Sequence, residues 1–421
     1  MENYLPWITA ACSLGAAAAC VVLLFAQKRG RIATEDLLME LLQQELSEQS
    51  EEALRRSSEM RRELNETLRA SSMSLTESVR AIGDLQADRI ERLEKRSGDL
   101  NAAVDKRLES LRTDLLGLRR ENQSQLEKIR AGGVDLLISS IFIDDRHVPE
   151  MALRRALDQI ACMHEELAQC PDLVLCRSVA EIRAARAAGK IALLLSFEGA
   201  EPLGNDLNLL RAFYELGVRG IGIVWSRRNY AADGCFFQPR REGRKGGLTD
   251  FGARLADEAE RLGMYLDVSH LNDEGFWDLC ALTKRPFIAS HSNCRALTPV
   301  TRNLTDEQIA ALAQRGGVMG MNACSDFVRL DAGGAGRADP DELAAHGAHV
   351  KQVAGAEHLC FGFDFCDEFR VGNNREPKDA VPFYDESWRL TAALLARGFS
   401  ENEVRGALGE NLLKFLERTI G

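Results

Sequence analysis

Seven short apolar runs alternate with amphipathic segments between residues 134 and 363. The runs cover residues 134–141, 191–197, 220–225, 264–269, 286–290, 317–322 and 358–363. Strands that are apolar along their whole length and separated by helices are typical of a parallel sheet with both faces covered. A region of about 290 residues with this alternation fits a (β/α)₈ barrel. We therefore predict an α/β fold, a TIM-like barrel of the (β/α)₈ type with seven recognisable strands, one fewer than a closed barrel needs.

Polar side chains follow four of these predicted strands at their carboxyl ends. Glu198 and Asp364 each come directly after an apolar run, and His270 and His291 each come after a run that ends in serine. The carboxyl ends of parallel strands meet at one edge of the sheet, where α/β proteins place ligands and metals. The sequence therefore predicts that these four side chains share one edge of the barrel.

A glutamate and two histidines at a barrel edge form a ligand set that can hold zinc and leave a position open for water. We predict Glu198, His270 and His291 as metal ligands and Asp364 as the base that takes a proton from the bound water. Each residue alone has a structural alternative, such as a strand cap, a helix cap or a buried ion pair. Four of them at one edge favour the site. Arg295, four residues after His291, is predicted to bind a substrate carboxylate.

Charge and cysteine content argue against other classes of protein. The net charge is −11, and the basic residues are interspersed with acidic ones, which argues against a nucleic-acid groove. The 11 cysteines include no C-x-x-C pair, and several lie inside apolar runs. We expect reduced thiols in a reducing compartment rather than a disulfide framework or a structural zinc knot.

The first 32 residues have the pattern of a membrane anchor. Residues 4–27 are apolar except for isolated polar side chains, and Lys28, Arg29 and Arg31 follow at once. About 20 apolar residues suffice to span a bilayer. The positive-inside rule then predicts a single-pass protein of the cell membrane with the barrel on the cytoplasmic side. A cleaved signal peptide is the alternative, but it would carry its positive charge before the apolar run.

Residues 33–130 have the composition of a long helix, because Leu, Glu, Arg, Ser and Gln dominate and no proline occurs between Pro6 and Pro149. Apolar residues recur at spacings of three and four, at Leu64, Leu68, Leu75, Ile82 and Leu85 and again at Val104, Leu108, Leu111, Leu115 and Leu118. This pattern predicts a helix with an interrupted coiled-coil seam, through which the chain self-associates. The predicted domains are thus an anchor at 1–32, a coiled coil at 33–130 and a barrel at 131–421.

Residues from about 130 to 421 resemble the membrane dipeptidase (renal dipeptidase) family of zinc peptidases. The resemblance runs through RAGGV, SFEGAEP, GVRGIGIVWSRRN, GLTDFG, LDVSH, SHSNCR, GFDF and ENLLKFLE. It implies a (β/α)₈ barrel with two zinc ions that hydrolyses dipeptides. By this resemblance Glu198 corresponds to the carboxylate that bridges both metals, and His270 and His291 to the other ligands of one metal. Arg295 corresponds to a contact of the substrate carboxylate, and Asp364 to the acid/base residue.

Two departures from the family pattern bear on activity. Many members have a substrate-contacting histidine where this sequence has Trp225, a change that bears on specificity. The family also begins with a strand that ends in a His-x-Asp pair, which supplies two ligands of the other metal. This sequence contains no His-x-Asp. The resemblance therefore implies one zinc ion here instead of two, a missing first strand and impaired hydrolysis.

Residues 1–130 resemble the anchor and coiled coil of the RmuC family of DNA recombination proteins. The resemblance rests on SLTESVRAIGDLQADRIERLEKR and LRRENQSQLEKIR, and the nuclease-like domain of that family is absent from this sequence. The two resemblances therefore predict that parts of two different proteins are joined near Arg130, either by a natural fusion or by an artefact of gene prediction or assembly. Two functions stay open: a membrane-tethered zinc dipeptidase, and a non-catalytic coiled-coil scaffold that carries a degenerate barrel.

Overall fold

The computed structural model describes residues 33–235, 246–330, 337–366 and 379–421. It divides into two compact units, Met1–Leu115 and Leu116–Gly421. The predicted membrane anchor at 1–32 lies outside the described residues. Within the described ranges, no helix is both long enough and apolar enough to cross a bilayer.

Helix α1 runs without a break from Ala33 to Ala131, so the predicted long helix is confirmed. It ends at a glycine pair, where Gly133 adopts a φ of 70°. This left-handed residue lets the amide of Val134 turn back and donate to the carbonyl oxygen of Ile129 at 3.3 Å. Its pairing into a coiled coil stays a prediction.

The second unit is built on short parallel strands. They are β1 Leu136–Phe142, β2 Leu173–Leu175, β3 Ile191–Glu198, β4 Val218–Gly222, β5 Tyr265–Asp267, β6 Met319–Met321 and β7 Leu359–Phe361. One ladder runs in the order β1-β3-β4-β5, with β2 paired to the start of β3, and another joins β6 to β7. The predicted strand 286–290 forms two parallel bridges, from Ile288 to β5 and from Ala289 to β6. These bridges connect the two ladders.

Helices cover the sheet between the strands, as the alternation in the sequence predicts. They are α2 Ala152–Gln169, α3 Val179–Ala187, α4 Asn208–Leu216, α5 Asp250–Leu262, α6 Asp273–Leu282, α7 Asp306–Gln314, α8 Ser325–Val328, α9 Pro340–Ala354, α10 Trp388–Ala396, α11 Glu401–Arg405 and α12 Asn411–Thr419. Several begin at a side chain that caps the first turn, namely Ser178, Thr249, Asn272, Thr305, Asp339 and Ser400.

Backbone pairing does not close the barrel within the described residues, because β1 pairs with β3 and β7 with β6, but no ladder joins β1 to β7. Burial agrees with an open edge. Most side chains of β1 are only half-buried and Ser140 is exposed, whereas those of β3 are almost all buried. That an eighth strand is missing at this position stays a prediction.

An aromatic cluster links the two strands that share no ladder. Phe365, which follows β7, packs against Phe383 and Tyr384 at ring-centroid distances of 5.3 and 4.8 Å. Gly132, just before β1, lies so close to the Tyr384 carbonyl that a Cβ there would overlap it. The opening between β1 and β7 is therefore partly filled by side-chain packing instead of hydrogen bonds.

Candidate metal centre

Three side chains converge at the carboxyl ends of the strands. The donor atoms of Glu198, His270 and His291 lie within 4.8 Å of one another. The Nε2 atoms of the two histidines are 2.9 Å apart, and Glu198 Oε1 lies 3.2 Å from His270 Nε2 and 3.6 Å from His291 Nε2. Both imidazoles are buried. The structure therefore brings together the three residues that the sequence predicts as metal ligands.

Hydroxyl groups orient both imidazole rings. His270 Nδ1 lies 2.6 Å from Ser226 Oγ, and His291 Nδ1 lies 2.6 Å from Ser290 Oγ. Ser290 Oγ also donates to the buried carboxylate of Asp267. A hydroxyl has one proton to donate, so Ser290 accepts from His291 Nδ1–H. A neutral His291 protonated at Nδ1 has a lone pair on Nε2, which is the form that binds a metal.

The backbone is strained at three residues of this centre. Ser226, His270 and Asp364 have φ angles of 39°, 72° and 53°, and they are the only non-glycine residues with positive φ in the described ranges. Such conformations cost on the order of 1–3 kcal/mol each and persist only where the surrounding structure holds them. All three lie beside the converging side chains. Strain of this kind clusters at functional sites.

Electrostatics distinguish the ionisable groups of the centre. Burial by itself disfavours the charged form of Glu198, but hydrogen bonds from His270 and His291 outweigh it and lower the carboxyl pKa. Burial, with the nearby Arg302 cation, lowers the pKa of His270 well below its usual range. Burial also acts to lower the pKa of His291. The nearby carboxylates of Asp364 and Glu198 outweigh this effect, so the pKa of His291 is raised. The centre thus combines a carboxylate with a neutral imidazole on His270.

Asp364 lies at the edge of the centre, where its Oδ2 is 3.9 Å from His291 Nε2. Asn322 Nδ2 donates to the same oxygen at 3.1 Å. The side chain is 32% exposed, so it faces both the buried ligands and solvent. Burial raises the pKa of Asp364, and attraction to the His291 imidazole when that ring is protonated opposes the effect. This position suits a group that exchanges protons between the centre and the solvent.

Trp225 forms a wall of the centre. Its ring centroid lies 5.8 Å from that of His270 and 5.1 Å from that of Phe142 on β1. The guanidinium of Arg227 lies 5.2 Å from the Trp225 ring centroid. A half-buried tryptophan beside a candidate ligand is in a position to contact a substrate, and this role stays a prediction.

Arg295 is engaged by other residues of the chain. Its guanidinium donates to both carboxylate oxygens of Asp273 at 2.8 and 2.7 Å, and its Nε donates to the carbonyl oxygen of Asn303 at 2.8 Å. These bonds hold the guanidinium of Arg295 between the side chain of Asp273 and the backbone at Asn303. A substrate carboxylate would have to displace Asp273, and the contact of Arg295 with substrate stays a prediction.

Sequence reasoning missed a different arginine. Arg302 is only 3% exposed, and its electrostatic effect reaches His270, His291 and Asp364. Nη1 donates to Ser292 Oγ at 2.9 Å, while Nε and Nη2 have no hydrogen-bond partner among the described residues. Buried guanidinium nitrogens without partners are costly and unusual. In the sequence Arg302 lies between two predicted strands, and no motif marks it.

We expect Ser290→Ala to weaken zinc binding about 10- to 100-fold, because the variant releases His291 Nδ1 from its hydroxyl acceptor. Competition with a chromogenic chelator measures the affinity. Ser140→Ala, at an exposed position of β1, is the matched control and should bind zinc as the parent does. Equal affinities for parent and Ser290→Ala would contradict the positioning role of the hydroxyl.

Comparisons with known proteins agree with this geometry. The sequence model of the membrane dipeptidase family (Peptidase family M19) matches residues 88–420, a match that begins within α1. Dipeptidase 3 of Mus musculus is 29% identical over 299 residues, which are 69% of this chain and 57% of the mouse protein.

Two solved structures are similar over 70% of this chain and 89% of their own. One is described as dipeptidase AC, a metallopeptidase of family M19, with 32% identity and a TM-score of 0.64. The other is a metallopeptidase from Rhodobacter sphaeroides, liganded with a phosphinate mimic of the dipeptide L-Ala-D-Ala, with 31% identity and a TM-score of 0.64. This chain belongs to the membrane dipeptidase family, a family of peptide hydrolases.

Proposed function

We propose that this chain hydrolyses dipeptides with a single zinc ion held by Glu198, His270 and His291. The observation that carries the proposal is the convergence of three donor atoms within 4.8 Å, on imidazoles whose Nδ1 atoms are already engaged by hydroxyls. The likeness to a metallopeptidase solved with a dipeptide mimic supports the substrate class.

The donor set fits zinc. Two imidazole nitrogens and a carboxylate oxygen are ligands that Zn²⁺ accepts, and three protein ligands are typical of catalytic zinc sites with an open position. When bound, the ion would act as a Lewis acid and would lower the pKa of water at the site. The low pKa of Glu198 keeps its carboxylate ionised, and the low pKa of His270 keeps its imidazole neutral, as a ligand must be.

Asp364 is proposed to accept the proton of the attacking water and to deliver it to the leaving amine. Its hydrogen bond from Asn322 leaves the other carboxylate oxygen for this purpose. Asp364 adopts its positive φ three residues after the end of β7, and its carboxylate lies 3.9 Å from His291 Nε2. Trp225 is proposed to form the substrate-facing wall and to set specificity.

Arg302 takes the role that the sequence predicts for Arg295. A dipeptide carries a free carboxylate. Nε and Nη2 of Arg302, which no described residue engages, offer the parallel pair of N–H groups that binds one. We expect Arg302→Met to raise KM about 10- to 100-fold with a smaller change in kcat, because the bond is made in both the ground and the transition state.

Arg295→Met is the comparison that decides between the two arginines. We expect it to lower the melting temperature, since it breaks the pair with Asp273, and to change KM less than Arg302→Met does. Steady-state kinetics on one dipeptide, with thermal unfolding of both variants, provide the measurement. A KM effect confined to Arg295→Met would return the carboxylate contact to Arg295.

Activity is proposed to be weaker than that of a two-metal enzyme. The described residues contain one group of three side chains that could hold a metal, and the sequence lacks the His-x-Asp pair. A second ion would help to stabilise both the attacking and the leaving oxygen atoms, a contribution that one ion cannot supply in full. Metal analysis of the full chain should give one zinc per chain, with slow hydrolysis of a dipeptide panel. Two tightly bound zinc ions with rapid turnover would overturn the single-ion proposal.

The front of the chain is proposed to anchor it to the cell membrane through residues 1–32, with the barrel on the cytoplasmic side.

Self-association through α1 is proposed on a specific observation: along the predicted seam, side chains from Leu64 to Leu108 are 47% to 68% exposed. An isolated helix with such a stripe gains from burying it against a second copy. Cysteine cross-linking along α1 in membranes, with protease protection of the barrel, tests both points. A scaffold without catalysis would show the cross-links and no hydrolysis by metal-loaded protein.

A further inference from the structure

Two cysteines meet beside Asp364. Cys324 caps the start of α8, and Cys366 lies two residues beyond Asp364. Their thiols lie within hydrogen-bonding distance of each other. The Cys366 thiol also lies 3.1 Å from the carbonyl oxygen of Asp364. The two sulfurs, separated by 42 positions in the sequence, are thus neighbours at the edge of the centre.

The backbone around the pair is fixed by a third residue. Asp379 forms an antiparallel bridge with Cys324, and its Oδ2 accepts from the Cys366 amide at 2.8 Å. Ala380 N donates to Ala323 O at 2.7 Å, which strengthens the same bridge. Both cysteines therefore contact one buried residue, Asp379, which holds the backbone at the two positions close together.

We propose that Cys324 and Cys366 are a reversible oxidation site that forms a disulfide and thereby controls Asp364. The oxidant is a small hydroperoxide, which reaches the pair at the partly exposed Cys366. The O–O bond breaks as oxygen passes to one sulfur and an alcohol leaves. The second thiol then displaces that oxygen as water and forms the S–S bond. Two thiols lose two electrons and two protons in total, and the peroxide is reduced to alcohol and water.

Oxidation would disturb Asp364 directly. A disulfide holds its sulfurs about 2.05 Å apart, so Cys366 moves toward Cys324 and loses its contact with the Asp364 carbonyl. Asp364 already has a strained φ of 53° and depends on its surroundings to hold the carboxylate in place. A misplaced catalytic group is costly, and we expect about a tenfold fall in kcat/KM. This consequence rests on the proposed function, whereas the disulfide itself does not.

The test uses the full chain in detergent, treated with tert-butyl hydroperoxide and then with an alkylating agent. Peptide mapping should reveal a cross-linked Cys324–Cys366 peptide that a dithiol reductant removes. Cys366→Ser and Cys324→Ser should each abolish the cross-link. Cys162→Ser, at an exposed position of α2, is the control and should leave it intact. A second readout is dipeptide hydrolysis, which should fall on oxidation and recover on reduction.

Recovery of both cysteines as separately alkylated peptides after peroxide treatment would overturn the oxidation site. Oxidation of Cys366 alone to its sulfinic acid would overturn it as well. A cross-link without any change in the hydrolysis rate would refute the control of Asp364 while leaving the disulfide. If the reduced, zinc-loaded chain hydrolyses no dipeptide, the proposed function is wrong. The peptide map still tests whether Cys324 and Cys366 form a disulfide.

Discussion

His291→Ala is expected to remove the zinc ion and to lower kcat/KM for dipeptide hydrolysis by at least about 10³-fold. A catalytic metal supplies several kcal/mol of transition-state stabilisation, and this range corresponds to about three orders of magnitude in rate. The variant deletes one of three converging donors and leaves Glu198 without one of the hydrogen bonds that hold its pKa low. A two-ligand remnant holds zinc weakly, so dialysed protein should contain almost none.

His164→Ala provides the matched control, because His164 is exposed on α2 and remote in sequence from every residue of the centre. It should keep both zinc and activity. Circular dichroism and thermal unfolding of the His291→Ala protein separate loss of a ligand from loss of the fold, since truncating a buried side chain leaves a cavity. A folded His291→Ala variant that retains the parent zinc content would refute the ligand assignment.

Much of the barrel was predictable because its strands are marked by local composition. Six of the seven predicted strands occur at their expected places, although their ends shift by a few residues. Segment 286–290 differs: it joins its neighbours by two bridges instead of a full ladder. The backbone at Ser290 lies close to the neighbouring strands because residues 320 and 362 are glycines. A Cβ at Gly320 or Gly362 would overlap the Ser290 carbonyl. β2 was missed because a three-residue apolar run carries no periodicity.

The candidate site was predictable only in part. Glu198, His270 and His291 follow strands, so the topology alone brings them to one edge. Arg295 and Arg302 lie in one loop. Asp273, which is distant from this loop in the sequence, accepts two hydrogen bonds from the guanidinium of Arg295 and so affects which of the two arginines is available to the centre. No local pattern encodes that choice. Side-chain direction in loops is a property of tertiary packing, so the sequence alone does not decide between the two arginines.

Asp364→Asn is expected to lower kcat by about 10²- to 10⁴-fold and to leave zinc content unchanged, because it removes a proton acceptor without removing a ligand. The substitution suits this position. Asparagine tolerates a φ of 53° as well as aspartate does, and its amide oxygen can still accept from Asn322. The variant therefore isolates the proton-transfer role from the packing and backbone roles of the same residue.

Asp158→Asn, on the exposed face of α2 beside Arg154 and Arg155, is the matched control for loss of one negative charge. It should change neither kcat nor zinc content, since an exposed ion pair contributes little. Single-turnover kinetics, with metal analysis of both variants, provide the measurement. Zinc loss from Asp364→Asn would make the carboxylate a ligand instead of a base. Full kcat with full zinc would instead assign proton transfer to a group other than Asp364.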